Sequence, residues 1–117
     1  MGTRVLIVED EALIAMELHE RLVEFGYAVL GPAMTLEEAE ALVAGETPVA
    51  ALLDANVVGK STVDLGAHLA GKGVPIAFCT GYDKIKNLPA SIANAPILTK
   101  PINDDDLRAA LQKMIGR

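Results

Sequence analysis

Aromatic residues make up only 3% of this chain. Any core must therefore be built from Val, Leu, Ile and Ala. There is one cysteine, Cys79, which excludes a disulfide framework within the chain and suits a reducing compartment. No apolar run approaches the ~20 residues of a membrane span. The opening "MGTRVLIVED" meets its acids too early to be a secretory leader. These absences give a cytoplasmic reading, with no membrane partner. Basic residues are also few: 10 Lys and Arg against 16 Asp and Glu leave a net charge of −6. That argues against a nucleic-acid partner, because phosphate contacts need basic patches. It suits a basic protein surface or a cation.

Hydrophobic residues are plentiful, at 51%, and 117 residues are enough for one compact domain, spanning 1–117. The apolar residues fall into an alternating pattern. "RVLIVE" (4–9) is a near-continuous run, as in a parallel strand covered on both faces. Residues 11–25 then carry Leu13, Ile14, Leu18, Leu22 and Phe25 near helical spacing, with Gly26 at the helix end. "YAVLGPA" (27–33) reads as a second strand that Pro32 ends. Thr35 and Glu38 form a Thr-x-x-Glu capping box for the next helix. "VAALLD" (49–54) is a third strand. "STVDLGAHLAGKG" is helical, weakened by Gly66. "PIAFCT" (75–80) and "APILTK" (95–100) are the fourth and fifth strands. Asn103 caps a last helix whose three leading acids suit a helix N-terminus. The segment 81–94 has a poor helical signal and predicts a loop, one short helical turn or a mobile segment.

Strands alternating with helices predict a parallel sheet with right-handed crossovers. In such sheets ligands bind beyond the C-terminal strand ends. Strand one ends in Glu9 and Asp10, strand three in Asp54, strand four in Thr80, strand five in Lys100. Each closes an apolar run on the same sheet edge. Three carboxylates gathered there repel one another, so one must protonate or a cation must sit among them. Mg²⁺, a hard cation with few protein ligands, answers this. A lysine and a hydroxyl beside it suit a phosphoryl group, and a central carboxylate can be the nucleophile.

With these residues in this order, the chain resembles a receiver domain of a two-component response regulator. The match runs from Val5 to the last helix. It rests on Glu9–Asp10, "ALLDAN", Thr80 and the "TKP" of Lys100–Pro101. The resemblance implies a doubly wound, flavodoxin-like sheet in the order 2-1-3-4-5, helices on both faces, and a cis Lys100–Pro101 bond. It implies that Asp54 accepts a phosphoryl group from a sensor histidine kinase. Asp10, Asp54 and the Asn56 carbonyl would hold Mg²⁺, with Glu9 acting through a water. Lys100 would pair with the phosphoryl oxygens and Thr80 would move to meet them. Such a chain is a switch, not an enzyme with an outside substrate, although it catalyses its own phosphorylation and slow hydrolysis.

"PIAFCTGYD" is similar to the Phe-Ala-Thr-Gly-Tyr signature of one receiver subset, with Cys79 in place of Ala. That subset often works with kinases of the HWE/HisKA2 type and often has a short or irregular fourth helix. Ile97 stands where most receivers carry a Tyr or Phe, so the signal is expected to travel through Tyr82 and the 81–94 segment. Tyr82 is also expected to slow hydrolysis by crowding the attacking water. The output would be a downstream protein or a fused output domain. A stand-alone receiver, a piece of a longer chain and a homodimer all fit the sequence.

Rival readings fit less well. "GKST" (59–62) resembles the end of a phosphate-binding loop, but Asp54 stands where that motif needs glycine. A haloacid-dehalogenase hydrolase needs an Asp where Asn56 stands. A docking module without phosphorylation leaves Asp54, Thr80 and Lys100 unexplained. His19 and His68 read as helix-face residues, Cys79 as a small buried hydrophobe, and Asp104 to Asp106 as a helix start.

Overall fold

The computed structural model describes residues 3–81 and 85–116. Five parallel strands form one sheet: β1 (Arg4–Val8), β2 (Ala28–Ala33), β3 (Ala50–Asp54), β6 (Ile76–Thr80) and β7 (Ile97–Thr99). Their order is β2-β1-β3-β6-β7, the expected 2-1-3-4-5. A small hairpin, β4 (Asn56–Val57) and β5 (Lys60–Ser61), follows β3. The helices are α1 (Ala12–Glu24), α2 (Leu36–Gly45), α3 (Val63–Gly71) and α4 (Asp104–Ile115).

Successive strand residues point to opposite sides, and each side has its own core. Leu6, Val8, Leu53 and Phe78 meet Ala39 of α2 and Leu65 and Leu69 of α3. Val5, Ile7, Leu52 and Ala77 meet Leu18 and Leu22 of α1 and Leu107 and Leu111 of α4. Both faces are covered, which is why the strands read as unbroken apolar runs. Where a fourth crossover helix would stand, the described residues form a single 3₁₀ turn, Ala90–Ile92, with Ile92 buried. The weak helical signal of 81–94 anticipates this. Among the described residues no helix is long and apolar enough to cross a membrane.

Local rules hold at the helix ends. The Glu38 N–H donates to Thr35 Oγ1 at 3.1 Å, and the Asp106 N–H to Asn103 Oδ1 at 2.8 Å. Each satisfies one of the donors that a helix start leaves open. Arg21 of α1 donates to Asp104 and to the Ile102 carbonyl, which ties α1 to the start of α4.

One sequence expectation needs correction. Pro32 does not end the second strand, which runs on to Ala33. β2 is an edge strand, where the missing N–H breaks no ladder; its pairing with β1 shifts between Leu6 and Val8. Gly66 does more than weaken α3. A Cβ there would lie 2.7 Å from Ile76 Cδ1 and 3.2 Å from Phe78 Cζ. With no side chain there, α3 packs closely over Ile76 and Phe78 of the sheet.

Register carries the strand ends to one edge. Val8 pairs with Leu53, Asp54 with Cys79, and Thr80 with Thr99. The Lys100 N–H donates to the Thr80 carbonyl at 2.7 Å, and the Glu9 N–H to the Ala33 carbonyl at 2.9 Å. The Lys100–Pro101 bond is cis, as the resemblance implies.

Candidate functional site

Glu9 and Asp10 leave β1, Asp54 ends β3, Thr80 ends β6, and Lys100 follows β7. Carboxylate oxygens of Glu9, Asp10 and Asp54 lie within 4.8 Å of one another. Among the described residues they form the one group of three such side chains that could hold a metal ion. Asp10, Asp54, Asn56, Thr80 and Lys100 all line one cleft of about 620 Å³. The residues singled out from the sequence thus come together.

Their roles in the geometry differ. Glu9 is 1% exposed. Its Oε1 accepts from Lys100 Nζ at 2.7 Å and its Oε2 from the Glu11 N–H at 3.1 Å. Asp10 faces the cleft, and its Oδ2 accepts from the Val58 N–H at 2.8 Å. Asp54 Oδ2 accepts from Lys100 Nζ at 3.2 Å and its Oδ1 from the Asn56 N–H at 3.3 Å. Behind it, Thr62 Oγ1 donates to the Asp54 carbonyl at 2.7 Å. Thr80 is buried at the cleft wall.

Burial pushes the Glu9 carboxyl up, and its bond to Lys100 offsets only part of that. Burial pulls the Lys100 ammonium down, but Glu9 and Asp54 outweigh it, so the group ends above the ordinary lysine range. Burial pushes the Cys79 thiol up to about 12, which makes it an inert core residue. The cluster holds three carboxylates and one ammonium, leaving two negative charges. A single divalent cation would balance them, and oxygen donors are what Mg²⁺ takes. The donor set therefore fits a hard divalent ion.

Three features escape a reading of the sequence. Glu9 and Lys100, 91 residues apart, form the tightest ion pair of the site. "GKST" turns out to supply the return strand of the hairpin and the buried Thr62. Lys86 reaches the cleft from the segment after β6. The expectations about Tyr82 fall outside the described residues.

The fold and this edge of the sheet are those of one family. The chain belongs to the response regulator receiver domain family, whose model matches residues 5–112. Receiver domains of this family are signalling switches of two-component systems. The chain is 34% identical to the transcriptional regulatory protein PdtaR of Mycobacterium tuberculosis, across 97% of this chain and 57% of that protein. It is 37% identical to the positive alginate biosynthesis regulatory protein of Pseudomonas aeruginosa, across 93% and 46%. It thus spans about half the length of these curated relatives. Among solved structures it superposes on the PhyR receiver domain of Erythrobacter litoralis with a TM-score of 0.83 and 30% identity, covering 98% of this chain and 91% of that one. SdrG of Sphingomonas melonis Fr1 matches with a TM-score of 0.80 and 33% identity, covering 98% and 99%.

Proposed function

We propose that Asp54 is the phosphoacceptor and that residues 1–117 act as a single receiver domain in the cytoplasm. The carrying observation is that Asp54 stands in the cleft between a second carboxylate, Asp10, and the ammonium of Lys100. A carboxylate oxygen of Asp54 attacks the phosphorus of a phosphohistidine on a sensor kinase. The P–O bond forms as the P–N bond breaks, and the imidazole nitrogen leaves with the electron pair and takes a proton from solvent.

Asp10, Asp54 and the Asn56 carbonyl would hold Mg²⁺, with Glu9 acting through a bound water. The occupied Glu9 oxygens support that indirect role. The bound ion would neutralise charge developing on the phosphoryl oxygens. Lys100 turns from the carboxylates toward the new phosphoryl oxygens. Thr80 closes on them by its hydroxyl. Slow hydrolysis by water resets the switch, so the domain catalyses its own phosphorylation and decay. The donor kinase is of the HWE/HisKA2 type, from the likeness of "PIAFCTGYD" to its subset. Ile97, half-buried in β7 opposite Phe78, offers no aromatic ring to swing inward. Output to a downstream partner or fused domain therefore runs through the 81–94 segment.

The test is a phosphoryl analogue. Beryllium fluoride with Mg²⁺ is expected to shift the backbone amides of Thr80, Gly81 and Lys100 in the wild type and to leave them unmoved in Asp54→Asn. Amides equally shifted in both proteins, or in neither, would sink the assignment.

A further inference from the structure

The hairpin after Asp54 carries a feature that phosphoacceptor chemistry does not use. Val57 pairs with Lys60, so Val58 and Gly59 form a two-residue turn. Both have positive φ, 52° and 75°, the pattern of a type I′ turn. Gly59 suits it. Val58 does not, because a β-branched residue in the left-handed region is an outlier. Burial of its side chain is no compensation, since Val58 is 63% exposed. Such backbone persists only where its surroundings over-determine it.

The surroundings here are the site itself. The base of the hairpin is held by Thr62, whose N–H donates to the Ala55 carbonyl at 3.1 Å and whose hydroxyl donates to the Asp54 carbonyl at 2.7 Å. The far side leans on α2 through a Lys60–Glu37 ion pair at 3.5 Å. The turn then returns the Val58 N–H to Asp10 Oδ2 at 2.8 Å. An N–H donated to an ionised carboxylate is among the stronger hydrogen bonds.

We propose that the Val58 backbone amide is a positioning group for the cation site, fixing the Asp10 carboxylate toward Asp54, and that the unfavourable turn exists to bring that amide there. This rests on Asp10 and Asp54 forming a divalent-cation site. Groups that orient a ligating carboxylate matter: losing one weakens metal binding roughly 10–100-fold. Ion binding and closure of the hairpin then favour each other.

The probe is Mg²⁺, titrated against the amide spectrum, with thermal unfolding in EDTA as the control for the fold. Gly59→Val places a second β-branched residue at positive φ. No neighbouring atom lies within 4 Å of a Cβ there, so the change acts chiefly through the backbone. It is expected to weaken Mg²⁺ binding about tenfold, while the unfolding midpoint in EDTA falls by only the few degrees that one strained φ costs. Exchanging the two residues, Val58→Gly with Gly59→Val, gives a Gly-Val turn. A type II′ turn needs positive φ only at its first central position, so amide 58 stays in place and affinity should return to within about twofold of wild type. A loop with only a structural role predicts that the double variant is no better than the single one.

Unchanged affinity in Gly59→Val, or no rescue in the exchange, overturns the proposal. A second readout needs no variant: hydrogen exchange of the Val58 amide should slow when Mg²⁺ is added, and unslowed exchange also overturns it. A wild type that binds no Mg²⁺ removes the cation reading and this proposal together.

Discussion

Lys100→Met should lower the stability of the domain by about 3 kcal/mol at neutral pH, the cost of leaving a buried charge without its partner. Methionine keeps most of the apolar stem and removes the ammonium. Glu9, 1% exposed, then keeps only the Glu11 amide. The loss should depend on pH in a defined direction. The folded Glu9 carboxyl already sits above the ordinary range, because burial outweighs its ion pair. A raised carboxyl holds its proton in the folded state at a pH where the unfolded chain has lost it. Stability therefore falls as pH rises from the unfolded value through the folded one. Removing Lys100 takes away the main influence lowering Glu9 and widens that window. Urea unfolding should show a deeper deficit at pH 8 than at pH 5. Mg²⁺ should restore part of it, since an ion among the carboxylates replaces the lost charge. A small deficit, equal at both pH values, would mean that Lys100 does not hold Glu9 in the charged form.

Gly31→Ala is the second large effect, and it lies outside the cleft. Gly31 has φ +98°, and a Cβ there would sit 2.7 Å from the Ala33 nitrogen and 3.1 Å from the Ile7 carbonyl oxygen. Both are backbone atoms of the paired strands and cannot turn aside. Strained backbone and forced contact together should cost about 3 kcal/mol. Gly26→Ala is the control. Gly26 has nearly the same φ, +94°, but nothing within 4 Å, so its loss should stay near 1 kcal/mol. Equal losses in urea unfolding would show that φ alone matters at Gly31. The site should feel the first change and not the second, because Ala33 accepts the Glu9 N–H.

How far such features can be read from sequence depends on their range. The strand ends were legible because one regularity, an apolar run closed by a polar residue, recurs in step with the fold. That alone placed Asp10, Asp54, Thr80 and Lys100 on one edge. The capping residues Thr35 and Asn103 were legible because caps act within three residues. The Glu9–Lys100 pair was not, since nothing local to either residue names its partner. The β4–β5 hairpin was hidden because Val-Gly lacks the Asn-Gly or Asp-Gly signal of a type I′ turn. The packing role of Gly66 was hidden for a related reason. Helix propensity is a local property, whereas its close approach to Ile76 and Phe78 is a tertiary one. Pro32 was misread because only the sheet order puts β2 at an edge.

The central claim is that Asp54 takes up a phosphoryl group in a metal-dependent reaction. The intact mass of the protein after incubation with acetyl phosphate tests it most directly, with wild type and Asp54→Asn each measured in Mg²⁺ and in EDTA. The account predicts a gain of one phosphoryl group, about 80 Da, in wild type with Mg²⁺ and in no other sample. The same gain in Asp54→Asn, or in wild type with EDTA, would contradict it.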